Sequence, residues 1–392
     1  TNGYGGGIYC YESNSSLLDV TITNNSATDG GGIYCSSSSP SLVNVTVSGN
    51  SATDGGGIYC SSSNPSLENV TITNNSTNGY GGGIYCYESN SSLLDVTISA
   101  NSATYNGGGI YCFSSSPSLV NVTISTNSAS TGGGIYCFSS NPSLENVTIT
   151  NSSASSGGGI FCSSSSSPSL VNVVISDNIA NSRGGGIYCY SNSNPNLLNV
   201  TISGNSATTG GGIYCRNSSS PSLLNCIMWN DSPQEIYFYG YPGANTITIA
   251  YSDIQGGEYG IVTDDNGTVY WEAGNIATDP LFVDAANDNY HLTFNSPCIN
   301  AGNPNSPLDP DGSIVEMGAF YCEMNHGDVD YNGEIQTYDA SLTLQDAVGL
   351  IEFNENQVFV ADVDGNGQIQ AYDASLILQY AVGLIDEFPV GD

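Results

Sequence analysis

The chain has 392 residues and carries 36 Asp and Glu against two basic residues, Arg183 and Arg216, for a formal net charge of −34. That balance repels nucleic acid and anionic membrane surfaces, and no apolar run of about 18 residues is present to span a bilayer. Nine of the acids fall in residues 1–220 and 27 in the remaining 172, so the N-terminal part is nearly neutral and the C-terminal part is acidic.

The first element in chain order is a repeat. Between Gly5 and Cys215 the motif Gly-Gly-Gly-Ile-Tyr/Phe-Cys occurs nine times, with cysteines at 10, 35, 60, 86, 112, 137, 162, 189 and 215, a step of 25 to 27 residues. Each unit holds a strand-like run, a Ser/Pro-rich turn, a second run of the type Leu-x-Asn-Val-Thr-Ile and an Asn-Ser-Ala corner, with no helical period. A unit of this length encloses no core alone, so units must stack, about 4.8 Å apart. Alternation sends Ile and Cys to one face and the aromatic to the other. The pattern predicts inward ladders of Ile8, Ile33, Ile58 and of Cys10, Cys35, Cys60. It also predicts a corner ladder of Asn25, Asn50, Asn75, Asn101, Asn127, Asn178 and Asn205, interrupted at Ser152. The nine ladder cysteines are expected to be free and buried, because in-register stacking seldom supplies the disulfide torsion. Outside the ladder, Cys298 with Cys322 is the expected disulfide.

The Gly-Gly-x-Ile motif and the Asn-Ser-Ala corner resemble the repeats of right-handed parallel β-helix proteins, particularly the polymorphic outer-membrane type, over about residues 1–322. The resemblance implies an all-β fold, a right-handed three-sheet parallel β-helix, exposed on or outside the cell. Related scaffolds host pectate lyases and polygalacturonases, which need a basic residue beside carboxylate-bound calcium, or clustered acids. Here the acids of the coils are scattered, His291 and His326 lie outside them, and the pair Asp264 and Asp265 reads as a turn, so no enzyme is expected. The aromatics Tyr9, Tyr34, Tyr59, Tyr85, Tyr111, Tyr136, Phe161, Tyr188 and Tyr214 form an outward stripe. It reads as self-stabilising stacking, a protein interface or a platform for polysaccharide. Residues 1–22 repeat residues 77–98 without a change, so the sequence starts inside a coil, and a preceding coil or a second subunit is expected to cover it.

After Cys215 the period loosens. Residues 1–222 are read as regular coils and 223–322 as irregular coils with a closing element, in which Asp284, Asp309 and Asp311 are taken as turn residues. Frequent Asn-x-Ser/Thr sequons, as at Asn44, Asn69 and Asn121, permit glycosylation.

The last element carries the sharpest chemistry. Asp328-x-Asp330-x-Asn332-Gly333-x5-Asp339 recurs 34 residues later as Asp362-x-Asp364-x-Asn366-Gly367-x5-Asp373. Alternating oxygen ligands, a glycine at the sharp turn and a closing carboxylate are the pattern of a calcium loop, so two calcium ions are expected. Glu334 and Gln368 would supply backbone carbonyls, Gln336 and Gln370 would act through water, and Ile335 and Ile369 would pin the loops together. Each loop leads into a helix, and none is expected before either loop. Closing Asp residues, absent entering helices and the duplication resemble a type I dockerin over residues 326–387. That resemblance implies a cohesin-like partner meeting Thr337, Tyr338, Ala371 and Tyr372. The basic residues of many such modules are replaced by Gln345, Asp346, Gln379 and Tyr380. The expected protein is a secreted, non-enzymatic subunit of a self-assembling fibre or coat, associating head to tail or with a cohesin-like protein through calcium-dependent contacts. The alternative is an adhesin for polysaccharide or host surface attached to a cohesin-bearing scaffold.

Overall fold

The computed structural model describes residues 3–241, 243–265, 267–322, 325–330 and 334–389. Its first three-quarters wind into a parallel β-solenoid. One face is a ten-stranded parallel sheet running from Ile8–Tyr11 to Ile236–Phe238. Its register pairs like with like, Ile8 on Ile33, Tyr9 on Tyr34 and Cys10 on Cys35. Two further rows, begun by Ser16–Leu18 and Thr21–Thr23, meet at left-handed residues such as Asp19, Asn44 and Asn69 (φ 54°, 54° and 52°). Leu17, Leu42 and Leu67 point inward from one row, and Ile22, Val47 and Ile72 from the other. Short strands such as Ser51–Ala52 and Ser76–Thr77 finish the corner.

The three glycines of each repeat have separate jobs. Gly30 adopts φ +66°, which an L side chain resists. A methyl group at Gly31 would sit 2.6 Å from the Ser51 carbonyl oxygen, and one at Gly32 would sit 2.7 Å from that of Gly57. The next coil therefore passes too close for any Cβ.

Both expected ladders form. Asn50, for example, accepts from the Asn25 amide at 3.0 Å, donates to the Ile22 carbonyl at 2.9 Å and to Asn75 Oδ1 at 3.0 Å. Ser152 interrupts the column, accepting from Asn127 N at 3.3 Å while its own amide donates to Asn178 Oδ1 at 2.9 Å. A second buried column, of serines, runs up another corner, Ser38 N to Ser63 Oγ at 3.0 Å and Ser63 N to Ser89 Oγ at 3.0 Å. Sequence reading passed over it because serine is abundant in every turn here; only its recurrence three or four residues after each ladder cysteine marks it out.

All twelve cysteines are free. The expected Cys298–Cys322 disulfide is not formed; the buried Cys298 thiol donates to Asp253 Oδ2 at 3.2 Å, and Cys322 packs among apolar side chains. The chain after Trp271 reaches back along the flank of the late coils. Tyr290 donates to Asp177 at 3.1 Å, Ala319 N to Thr201 Oγ1 at 3.0 Å and Gly318 N to the Asn225 carbonyl at 2.9 Å.

Three helices follow: α1, Thr337–Ala347; α2, Glu355–Ala361; and α3, Ala371–Ala381. Helix α2 ends at Asp362, so a helix does enter the second loop, contrary to expectation. Its signal was present as Asn354-x-x-Gln357, whose side chains cap each other's backbone amides at 2.9 and 3.2 Å. Helices α1 and α3 each stop at a Val-Gly step where Gly349 and Gly383 take φ +73° and +72°. Leu350 N reaches Gln345 O and Leu384 N reaches Gln379 O, both at 2.8 Å, closing each helix in a Schellman turn. Among the described residues no helix is long and apolar enough to cross a membrane.

Candidate calcium centres and docking face

Each acidic loop closes on a carboxylate that also starts a helix. Gln336 and Gln370 are extended, and the aspartate three residues on accepts their amides, Asp339 Oδ2 from Gln336 N and Asp373 Oδ2 from Gln370 N, both at 2.8 Å. The other oxygen turns back into the loop. Asp339 Oδ1 takes the amides of Val329 and Asp330 at 3.0 and 3.2 Å, and Asp373 Oδ1 that of Asp364 at 3.3 Å.

Both closing aspartates are fully buried. One oxygen each from Asp328, Asp330 and Asp339 lies within 4.8 Å of the others, and the same holds for Asp362, Asp364 and Asp373. Burial raises the Asp339 and Asp373 carboxyls, and neighbouring acids add to the effect, as convergent carboxylates do until a cation neutralises them. In the second loop Gly367 turns at φ +81°, its amide donating to Asp362 Oδ2 at 2.7 Å. An acidic donor set made only of oxygen fits a hard divalent cation, calcium.

The remaining sequence-predicted ligands are arranged differently. Asn366 directs its amide nitrogen to Asp364 Oδ2 at 2.7 Å. The exposed side chains of Gln336 and Glu334 bond to each other at 2.8 Å, as do those of Gln370 and Gln368 at 3.4 Å. Asn332 and Gly333 lie outside the described residues. Ile335 packs with Val363, Leu376 and Ile377, and Ile369 packs in the cluster that holds Val329 and Val360.

Outside the loops, helices α1 and α3 pack side by side and leave a groove of about 500 Å³ lined by Thr337, Ala340, Ser341, Leu344 and their partners Ala371, Ala374, Ser375 and Leu378. Every member has its equivalent 34 residues on. Tyr338 and Tyr372 are 56% and 55% exposed, Leu344 and Leu378 both 44%, and Leu350 and Leu384 74% and 73%. The exposed leucines went unnoticed in the sequence because leucine on an amphipathic helix reads as core. Gln345 and Gln379 repeat the same contact, each donating to the serine one turn back at 3.2 and 3.1 Å. Asp346 and Tyr380 break the symmetry: Asp346 accepts from Phe353 N at 2.8 Å, and Tyr380 stacks on Phe388 at 4.7 Å.

Of the three readings of the aromatic stripe, contacts within the chain account for most of it. Successive rings touch, some stacked, as Tyr34 on Tyr59 at 5.2 Å and Tyr136 on Phe161 at 5.0 Å, and others edge to face, as Tyr188 on Tyr214 at 4.7 Å. Tyr85, Tyr111, Phe161, Tyr188 and Tyr214 are buried, so they offer no surface to a partner; Tyr34, Tyr59 and Tyr136 are half-buried and Tyr9 is 51% exposed. Both arginines converge on this column, with guanidinium carbons 6.0 Å (Arg183) and 4.7 Å (Arg216) from the Tyr239 ring. Asp264 and Asp265 form a left-handed turn, as expected. A carboxyl pair that sequence reading missed is Asp231 with Glu235, buried at 7% and 5% exposure inside the last regular corner.

Comparison with known proteins agrees with this geometry. The family described as right handed beta helix region matches residues 1–152 and 133–296, and the dockerin type I domain matches residues 326–380. No curated protein matches the chain. Among solved structures, a chain from the complex of the third cohesin ScaC with the ScaB dockerin of Acetivibrio cellulolyticus is 40% identical over 18% of this chain and 99% of its own, with a TM-score of 0.17. Dockerin domains bind calcium, and both acidic triads lie inside the matched segment. The chain belongs to the right-handed β-helix family and ends in a type I dockerin domain.

Proposed function

We propose that this protein is a secreted, non-enzymatic β-solenoid carried on a cohesin-bearing scaffold by its C-terminal module, which binds two calcium ions. The observation that carries the reading is the twofold apolar face of α1 and α3, built on two acidic loops whose closing aspartates cap those helices. Exposed leucine, valine and tyrosine side chains repeated at one offset on a calcium-ordered frame form a surface made to be covered. Thr337 with Tyr338 and Ala371 with Tyr372 stand at the start of the two equivalent half-faces.

The non-enzymatic assignment has support in the coils. The close carboxyl pair Asp231 and Glu235 is buried, at 7% and 5% exposure, where no substrate reaches. The aromatic column is largely consumed in contacts within the chain, which weighs against the fibre and polysaccharide readings relative to docking through the module. A panel of type I cohesin modules titrated into the full chain by calorimetry tests the proposal. Binding to at least one module in calcium, lost in chelator and weakened by about 2 kcal/mol or more in Leu344→Ala/Leu378→Ala, is the expected result. Binding that survives both chelator and the double substitution would overturn it.

A further inference from the structure

The flank segment Asp309–Pro310–Asp311–Gly312–Ser313 closes tightly on itself. Gly312 N donates to the Asp309 carbonyl at 2.9 Å, Asp309 N to the Ser313 carbonyl at 3.0 Å, and Ser313 N to Asp311 Oδ1 at 2.9 Å. Just beyond it the backbone is pinned on both sides of Glu316. Gly302 N reaches the Val315 carbonyl at 2.9 Å, and Met317 N reaches the Cys298 carbonyl at 3.0 Å.

Glu316 is thus held at 2% exposure and cannot swing to water. Among the described residues neither of its carboxylate oxygens meets a donor, and neither does the buried Oδ2 of Asp309 or Oγ of Ser313. Asp309 and Glu316 line one cleft of about 220 Å³ against the solenoid turn residues Asn172 and Asn199. While both are ionised, two carboxylates are acceptors only and cannot satisfy one another. Burial first, and Asp309 second, push the Glu316 carboxyl up to about 9. The chain has no lysine, both arginines are engaged at Tyr239, and burial pushes the His326 imidazole, near Asp311, toward its neutral form, so no side chain supplies a cation here.

We propose that Asp309 and Glu316 hold a divalent cation, calcium, which fastens the flank segment to the late coils of the solenoid. A buried carboxylate is costly unless paired or bound to a metal, and the available donors are all oxygen. The cleft has room for the waters that complete a calcium shell. This site is separate from the two dockerin loops and does not depend on them.

The test counts calcium on the full chain after equilibrium dialysis, in a background where Asp328→Ala and Asp362→Ala disable the loops. One equivalent is expected to remain, to be lost in Glu316→Gln, and to raise the solenoid's thermal midpoint only while Glu316 is present. Asp309→Asn is the second variant and should lose the same equivalent should Glu316→Gln fail to fold. An unchanged count with and without the two carboxylates overturns the proposal. So does a background that binds no calcium while Glu316→Gln flattens the loss of stability with rising pH, which would mean that the pair is closed by a shared proton.

Discussion

Ser152 shows what one side chain contributes to a stacked column. In the flanking coils an asparagine donates both to the next ladder oxygen and to an isoleucine carbonyl in the coil behind, as Asn178 does to Asn205 Oδ1 at 3.0 Å and Ile149 O at 2.9 Å. Ser152 instead spends its hydroxyl on Thr150 O at 3.3 Å. Ser152→Asn restores both bonds in a slot that already fits its neighbours, and should stabilise the solenoid by about 1–2 kcal/mol; an unchanged or lower thermal midpoint would refute this. At its far end the column terminates on Asp231, whose Oδ1 accepts from Asn205 N and Nδ2 at 2.7 and 2.9 Å, with Glu235 accepting from Asp231 N at 3.0 Å. Burial raises both carboxyls, Glu235 the further because Asp231 lies beside it. A carboxyl whose folded pKa is raised favours the folded state fully below its unfolded pKa of about 4. That contribution is lost as pH rises toward the folded pKa. Melts in chelator from pH 5 to 8 should therefore show declining stability, with a shallower decline in Glu235→Gln. Equal slopes would rule the pair out as a source.

At the scale of elements, loop and helix share one atom group. Asp373 joins the second loop to α3 through Asp364 N and Gln370 N, so removing its charge without changing its shape removes a ligand and weakens a helix start together. Asp373→Asn is expected to lower calcium affinity at that loop by at least about tenfold and to reduce helix content at limiting calcium, read by calorimetry and circular dichroism. Affinity lost with helix content intact at every calcium concentration would separate the two roles. The loops and coils were legible because each is written more than once: Ile8, Ile33 and Ile58 state an inward position that a single strand leaves ambiguous, and Asp328 and Asp362 state a ligand twice. What was hidden depends on contacts between distant segments. Leu344 and Leu378 are exposed although leucine on a helix reads as core, and Glu316 is buried only because the flank segment folds back on the coils. The aromatic stripe stayed ambiguous because alternation tells which face a ring leaves by, and says nothing of whether the next coil's ring then covers it.

Across the whole molecule, solenoid and module share an apolar seam. Ile227, Leu292, Cys298, Ile299 and Met317 from the late coils and flank meet Val329, Phe353, Val360 and Ala361 from the module, and Asn300 Nδ2 donates to Asn356 Oδ1 at 3.3 Å. The seam is incompletely filled, with clefts of about 280 and 460 Å³ opening beside Ile299 on α2's side. Two seam residues belong to the ion loops themselves: Val329 sits between Asp328 and Asp330, and Ile369 lies within the second loop. Ordering of the loops and closure of the seam are therefore coupled, and calcium that orders the loops should also fix how the docking face is aimed relative to the coils. Ile299 is the residue to test, since it is 5% exposed and lines both clefts, away from the loops and from the α1–α3 groove. Ile299→Ala removes a buried side chain worth about 2–5 kcal/mol and should release the module and, because the coupling is reciprocal, weaken its calcium binding. Small-angle scattering should then show a compact wild-type particle in calcium, an expanded one in chelator, and an Ile299→Ala particle expanded even in calcium. A variant as compact as the wild type in calcium would show that the seam does not hold the module, and that its orientation is set by the short connection alone.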